Sequence, residues 1–140
     1  MSDTPTPRGE IQVLAILSRD PAAETVRRLL VEEGLSVTAH DTAARKDAWK
    51  DGVSAEAVIV DEILEPAEVA EALERGWIRS SAPLFVLARR LPDRDRYMAW
   101  LEAGAWDILK IPLEAVALAL RLRNMLAGQS SDEAGSRAQR

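Results

Sequence analysis

The chain has no cysteine, and among its 140 residues it has one histidine, one phenylalanine and one tyrosine. Without thiols there is no disulfide and no thiolate metal site, and a cytoplasmic location is the expectation. A single histidine, His40, excludes the spaced histidine sets that hold zinc. A Ser–His triad would have to be built on His40 alone, which reads instead as a surface residue. No apolar run approaches the roughly 18 residues of a membrane span. The opening MSDTPTPRGE lacks the basic-then-apolar pattern of a secretion signal. Basic charge is also short, with 18 Lys and Arg against 23 Asp and Glu and a net charge of -5. A nucleic-acid surface needs clustered cations, whereas the pairs Arg27-Arg28 and Arg89-Arg90 are isolated and read as solvated positions. Glycine is missing where a nucleotide site would need it. LSRDPAA, after the first apolar run, holds none, so neither form of phosphate-cradling loop is present there.

What remains is an ordinary globular composition, 47% apolar and 29% charged, at a length that suits one domain. Residues 1-10 read as a disordered lead-in, 11-127 as the domain, and 128-140 as a flexible tail or linker. Within the domain, apolar runs alternate with amphipathic stretches. IQVLAIL (11-17) predicts a strand covered on both faces. DPAAETVRRLLVEEG predicts a helix with Asp20 as its cap, Pro21 at its first position and Gly34 at its stop. SVTAH, AEAVIVD, APLFVLA and AWDILKI supply four further strands. TAARKDAWKDG, PAEVAEALERG, DRDRYMAWLEAG and LEAVALALRLRNMLAG supply four further helices. Five strands alternating with five helices predict an α/β doubly wound parallel sheet in a three-layer αβα sandwich.

In such a sheet the functional crevice lies at the carboxyl ends of the strands. The residues there are Ser18-Arg19-Asp20, His40-Asp41, Asp61-Glu62, Ala88-Arg89 and Ile111-Pro112. Asp61 stands out, because it ends the apolar ramp Ala57-Val58-Ile59-Val60 and a buried carboxylate is costly unless it is paired or used. Asp20 and Asp61 are the weak candidates for a metal, and no other metal or cofactor is expected.

Three features together resemble the receiver domain of bacterial response regulators: five βα units, an acid ending the third strand, and LEAGAWDILKIPLE before the last helix. EEGLSVTAHDTA resembles the same family through the second strand. The resemblance implies the flavodoxin-like strand order 2-1-3-4-5, a cis bond before Pro112, and phosphoryl transfer from a histidine kinase to Asp61 with Mg²⁺ bound beside it. Carried over residue by residue, it leaves Asp61 without its neighbours. The acidic pair falls on Ser18 and Arg19, with Asp20 one position late. The hydroxyl position falls on Ala88, and the lysine position on Ile111, with Lys110 one residue early and on the opposite face. The aromatic that moves on activation falls on Ile108. We therefore expect Arg19 to pair with Asp61 in place of a metal and lock the site in one state.

The last helix carries two apolar stripes. Leu113, Val116, Ala117 and Leu120 are expected to face the sheet. Leu118, Leu122, Met125 and Leu126 lie on the other side. With Trp100 and Trp106 that second stripe forms a candidate interaction face, for a partner or a homodimer, or else it packs on the first helix. The function expected from the sequence is that of an atypical receiver: no enzyme, but an interaction module for a signalling partner or a fused output domain. The rivals are a working phosphoacceptor using Asp61, Asp20 and Lys110, and a small-ligand binder in the same crevice.

Overall fold

The computed structural model describes residues 11-125. The readings made above for residues 1-10, for 128-140 and for Leu126 lie outside that range. Five parallel strands form one sheet in the order β2-β1-β3-β4-β5. They are β1 (Ile11–Leu17), β2 (Leu35–Asp41), β3 (Ala57–Asp61), β4 (Leu84–Ala88) and β5 (Asp107–Lys110). Between them run α1 (Pro21–Glu32), α2 (Arg45–Ala48), α3 (Pro66–Glu74) and α4 (Arg94–Ala103), and α5 occupies 115-125. This is the doubly wound α/β sandwich that the alternation of elements predicts.

Each helix has a local reason for its limits. The Asp20 carboxylate accepts a hydrogen bond from the Ala23 N–H at 2.8 Å, and Pro21 needs no donor partner in the first turn. Asp93 caps α4 in the same way through the Arg96 N–H at 2.9 Å. Gly104 ends α4 at φ 119°, a left-handed value that a side chain would resist. The second helix departs from expectation. Residues 42-51 form a single α turn between two 3₁₀ turns rather than one continuous helix. Only Ala48 in 45-51 is fully buried, so little apolar packing enforces regular α geometry there.

Strand alternation sends β1 side chains to two separate cores. Val13, Ala15 and Leu17 pack with Ala23, Val26 and Leu30 of α1 and with Leu118 and Leu122 of α5. Leu14 and Ile16 pack with Ala48, Val69, Ala72 and Trp100 on the other face. Every residue of β3 and β4 is buried, as central strands covered on both faces must be.

This arrangement corrects the reading of α5. Leu118 and Leu122 are its inward stripe, fully buried against α1 and the sheet, with Met125 partly buried beside them. The stripe expected to face the sheet points outward, with Leu113 76%, Val116 56% and Leu120 41% exposed. The periodicity of the sequence draws both stripes equally well, and only the docking of α5 beside α1 selects one. Trp100 is also buried, at 1% exposure in the α3–α4 core, and does not line an interaction face. Trp106 remains 45% exposed.

Candidate functional site

The crevice at the strand ends is built around the last residue of β3. The Asp61 side chain is fully buried, and its Oδ2 accepts a hydrogen bond from the Ser18 N–H at 3.1 Å. Its Oδ1 accepts from the Ile63 N–H at 3.1 Å and from Arg89 Nη1 at 2.9 Å. Arg89 is the first residue past β4, next to Ala88. Its Nε donates to Asp20 Oδ2 at 2.8 Å, and its Nη2 lies 2.7 Å from the same oxygen. The Arg89 N–H donates to Glu62 Oε2 at 2.9 Å, and Nη1 lies 3.7 Å from that oxygen. One guanidinium thus spans the ends of β1, β3 and β4, held by carboxylates from two of them. A planar fork with five donors suits this bridging better than a point charge would.

The charges shift together. Burial works against the Arg89 cation, but the hydrogen bonds and charges of Asp61 and Asp20 outweigh it and raise its pKa further. For Asp20, burial favours the protonated form, yet the Ala23 N–H and the Arg89 guanidinium hold its carboxyl below the ordinary value. Asp20 therefore serves both as the cap of α1 and as an anchor for Arg89.

Arg19 does not reach Asp61. Its side chain is 84% exposed and pairs with Asp41 at the end of β2, across the register Leu17↔Asp41. At position 18 it is the backbone N–H that meets Asp61, while the Ser18 hydroxyl is buried without a partner among the described residues. The arginine that holds Asp61 is Arg89, which the sequence reading set at the strand ends but took for a solvated position rather than a partner of Asp61. The available signal was its place directly after the fourth strand, where the crevice lies. His40 pairs with Asp51, its Nε2 2.8 Å from Oδ2. Ala88, Ile108 and Ile111 are buried and apolar, and Lys110 ends β5 half-buried opposite Ala88. The Ile111–Pro112 bond is cis.

Phosphoryl transfer to a carboxylate needs a cation and donors converging on three charged oxygens. Here both Asp61 oxygens already accept hydrogen bonds, and the Arg89 cation beside them is committed to carboxylates of the protein. Mg²⁺, which the resemblance implies, does not fit this donor set. It prefers octahedral oxygen ligation, whereas a guanidinium lies among Asp20, Asp61 and Glu62. Among the described residues no cluster of three or more His, Cys, Asp or Glu is arranged to hold a metal. No helix of the described residues is long and apolar enough to cross a membrane.

No protein-family model matches the chain, and no curated protein matches it in sequence. Solved structures do. A two-component response regulator from Clostridium difficile superposes with a TM-score of 0.71 at 15% identity, over 87% of this chain and 100% of that one. An orphan response regulator of H. pylori gives 0.68 at 21% identity, over 86% and 99%. An atypical orphan response regulator, described as having a phosphorylation-independent regulatory mechanism, gives 0.66 at 19%, over 84% and 96%. With the strand order and the acid ending β3, these likenesses establish the fold: the chain folds as a response regulator receiver domain.

Proposed function

We propose that this chain is a signalling module that works through protein contacts in a single, phosphorylation-independent state, and that it is not an enzyme. The observation that carries this reading is the Arg89 guanidinium lodged among Asp20, Asp61 and Glu62. An internal cation supplies permanently the positive charge that a metal would otherwise bring to these carboxylates. A buried Asp61 is also closed to an incoming donor. One structural neighbour is itself described as regulated without phosphorylation, which agrees with this reading. The partner is a signalling protein or a fused output domain, in the cytoplasm.

The test is the intact mass of the protein after incubation with Mg²⁺ and a small phosphodonor. The expected result is an unchanged mass. A hydroxylamine-labile gain of one phosphate, lost in Asp61→Asn, overturns the proposal.

A further inference from the structure

The two edges of the sheet differ. β5 has four residues and is charged at both ends, by Asp107 and Lys110, with the Arg121 guanidinium 3.8 Å from Asp107. Shortness and charge are how natural sheets keep an open edge from pairing with another chain. β2 has neither over most of its length. It runs seven residues in unbroken register with β1, and residues 35-39 hold no charge, no proline and no glycine. Thr38 and Ala39 are exposed. A cavity of about 600 Å³ opens between the first turns of α1 and residues 39-41, so α1 leaves this stretch uncovered.

The ladder fixes which backbone groups that edge offers. The Gln12 carbonyl accepts from the Glu56 N–H, and the Ser18 N–H donates to Asp61, so the even-numbered residues of β1 turn toward β3. The odd ones turn toward β2, where each lies between the two neighbours of its register partner, as Val13 lies between Ser36 and Thr38. Ser36, Thr38 and His40 therefore spend their backbone groups on β1. Those of Val37 and Ala39 point outward, and among the described residues β2 pairs with β1 alone.

An antiparallel neighbour must set its own outward groups level with these. A second β2, related by a two-fold axis through Thr38, does so. Val37 of each copy lies opposite the partner's Ala39 and exchanges both N–H···O bonds with it. Thr38 meets the partner's Thr38 in the close pair between them, and Ser36 meets the partner's His40. Asp41 faces the partner's Leu35, so no like charges are opposed. The exposed Arg19, beside Asp41, comes to the end of the partner where Glu32 is exposed. A parallel alignment sets Asp41 against Asp41 and does not close on itself.

We infer that the β2 edge is a homodimer surface, where the β2 of a second copy adds in antiparallel register about Thr38 and joins the two sheets into one. This edge lies across β1 from Asp61, so failure of the dimer leaves the reading of the Asp61 site intact.

The chain has no cysteine, so single cysteine substitutions read the register directly. Only a residue on the two-fold axis meets its own copy. The Cα atoms of the Thr38 pair would lie about 4.5 Å apart, within disulfide range, and those of the two Ser36 residues about 14 Å apart. Thr38→Cys should form a disulfide-linked dimer in air at least about tenfold faster than Ser36→Cys. Sedimentation equilibrium of the full wild-type chain, from about 5 μM to about 500 μM, should show a concentration-dependent monomer–dimer equilibrium. Ala39→Pro removes an outward donor without touching the β1 ladder, and Thr38→Lys sets two ammonium groups at the axis. Each should weaken the dimer at least about tenfold. Circular dichroism melting at low concentration is the folding control, and if Ala39→Pro melts early, Thr38→Lys decides. A wild-type monomer throughout the range overturns the inference. A dimer that survives Thr38→Lys, or that links Ser36→Cys as fast as Thr38→Cys, also overturns it.

Discussion

Arg89 carries more of this structure than its place in a basic pair suggests. Its side chain is 30% exposed, while the Asp61 side chain that it holds is fully buried. Arg89→Met leaves Asp61 with its two backbone donors and no cation. Removing one partner of a buried pair costs about 3–5 kcal/mol, and the partial exposure of Arg89 brings the expected loss to about 2–3 kcal/mol in urea unfolding. Arg89→Lys should recover only part of this, because an ammonium does not reproduce the fork. A loss below about 0.5 kcal/mol for Arg89→Met, the range of ordinary surface changes, would show that the network is incidental. The same contacts predict a pH dependence. Burial and hydrogen bonding compete at Asp20 and leave its native pKa below 3.8, the ordinary value. A depressed carboxyl contributes its stability fully above the unfolded value and loses it as the pH falls through the native one. Wild-type stability should therefore decline as the pH drops below about 4, and Arg89→Met should decline less steeply over the same interval. Urea midpoints measured at pH steps for both proteins check this, and parallel curves would remove Asp20–Arg89 as the cause.

At the scale of elements, α5 shows how a clear pattern can be assigned to the wrong side. Leu122 is fully buried and Leu120 is 41% exposed, two residues apart on one helix. Leu122→Ala should cost about 2–5 kcal/mol, as deletions of buried leucine do. Leu120→Ala should stay within about 0.5 kcal/mol for the monomer. Thermal or urea unfolding at low concentration separates the two, and equal losses would mean that α5 docks by its other stripe. The second helix errs in the opposite direction. Its sequence reads as a polar helix, but with so little to bury it settles into turns of mixed type. Weak amphipathicity is legible as weakness, and the geometry that results is not.

For the molecule as a whole, the order β2-β1-β3-β4-β5 puts β3 and β4 inside the sheet with helices on both faces. Their amides should exchange with solvent only through global unfolding, while those of residues 42-51 should exchange sooner by local opening. Hydrogen exchange read by residue would refute this if 42-51 were as protected as Val58, Ile59 and Val60. The chain's own letters determined the class of fold, because apolar runs of five to seven residues alternating with capped amphipathic stretches permit little but a doubly wound sheet. They also determined that Asp61 ends a buried strand and must be paired there. Which arginine pairs with it was decided only by tertiary structure. Arg19 is near Asp20 in sequence but turns out to Asp41, whereas Arg89 arrives from 28 residues beyond Asp61 because β4 lies beside β3. The inward stripe of α5 was decided in the same way, by the neighbour the helix docks against. Local pattern records what a segment can bury, and the packing of distant segments decides what it does bury.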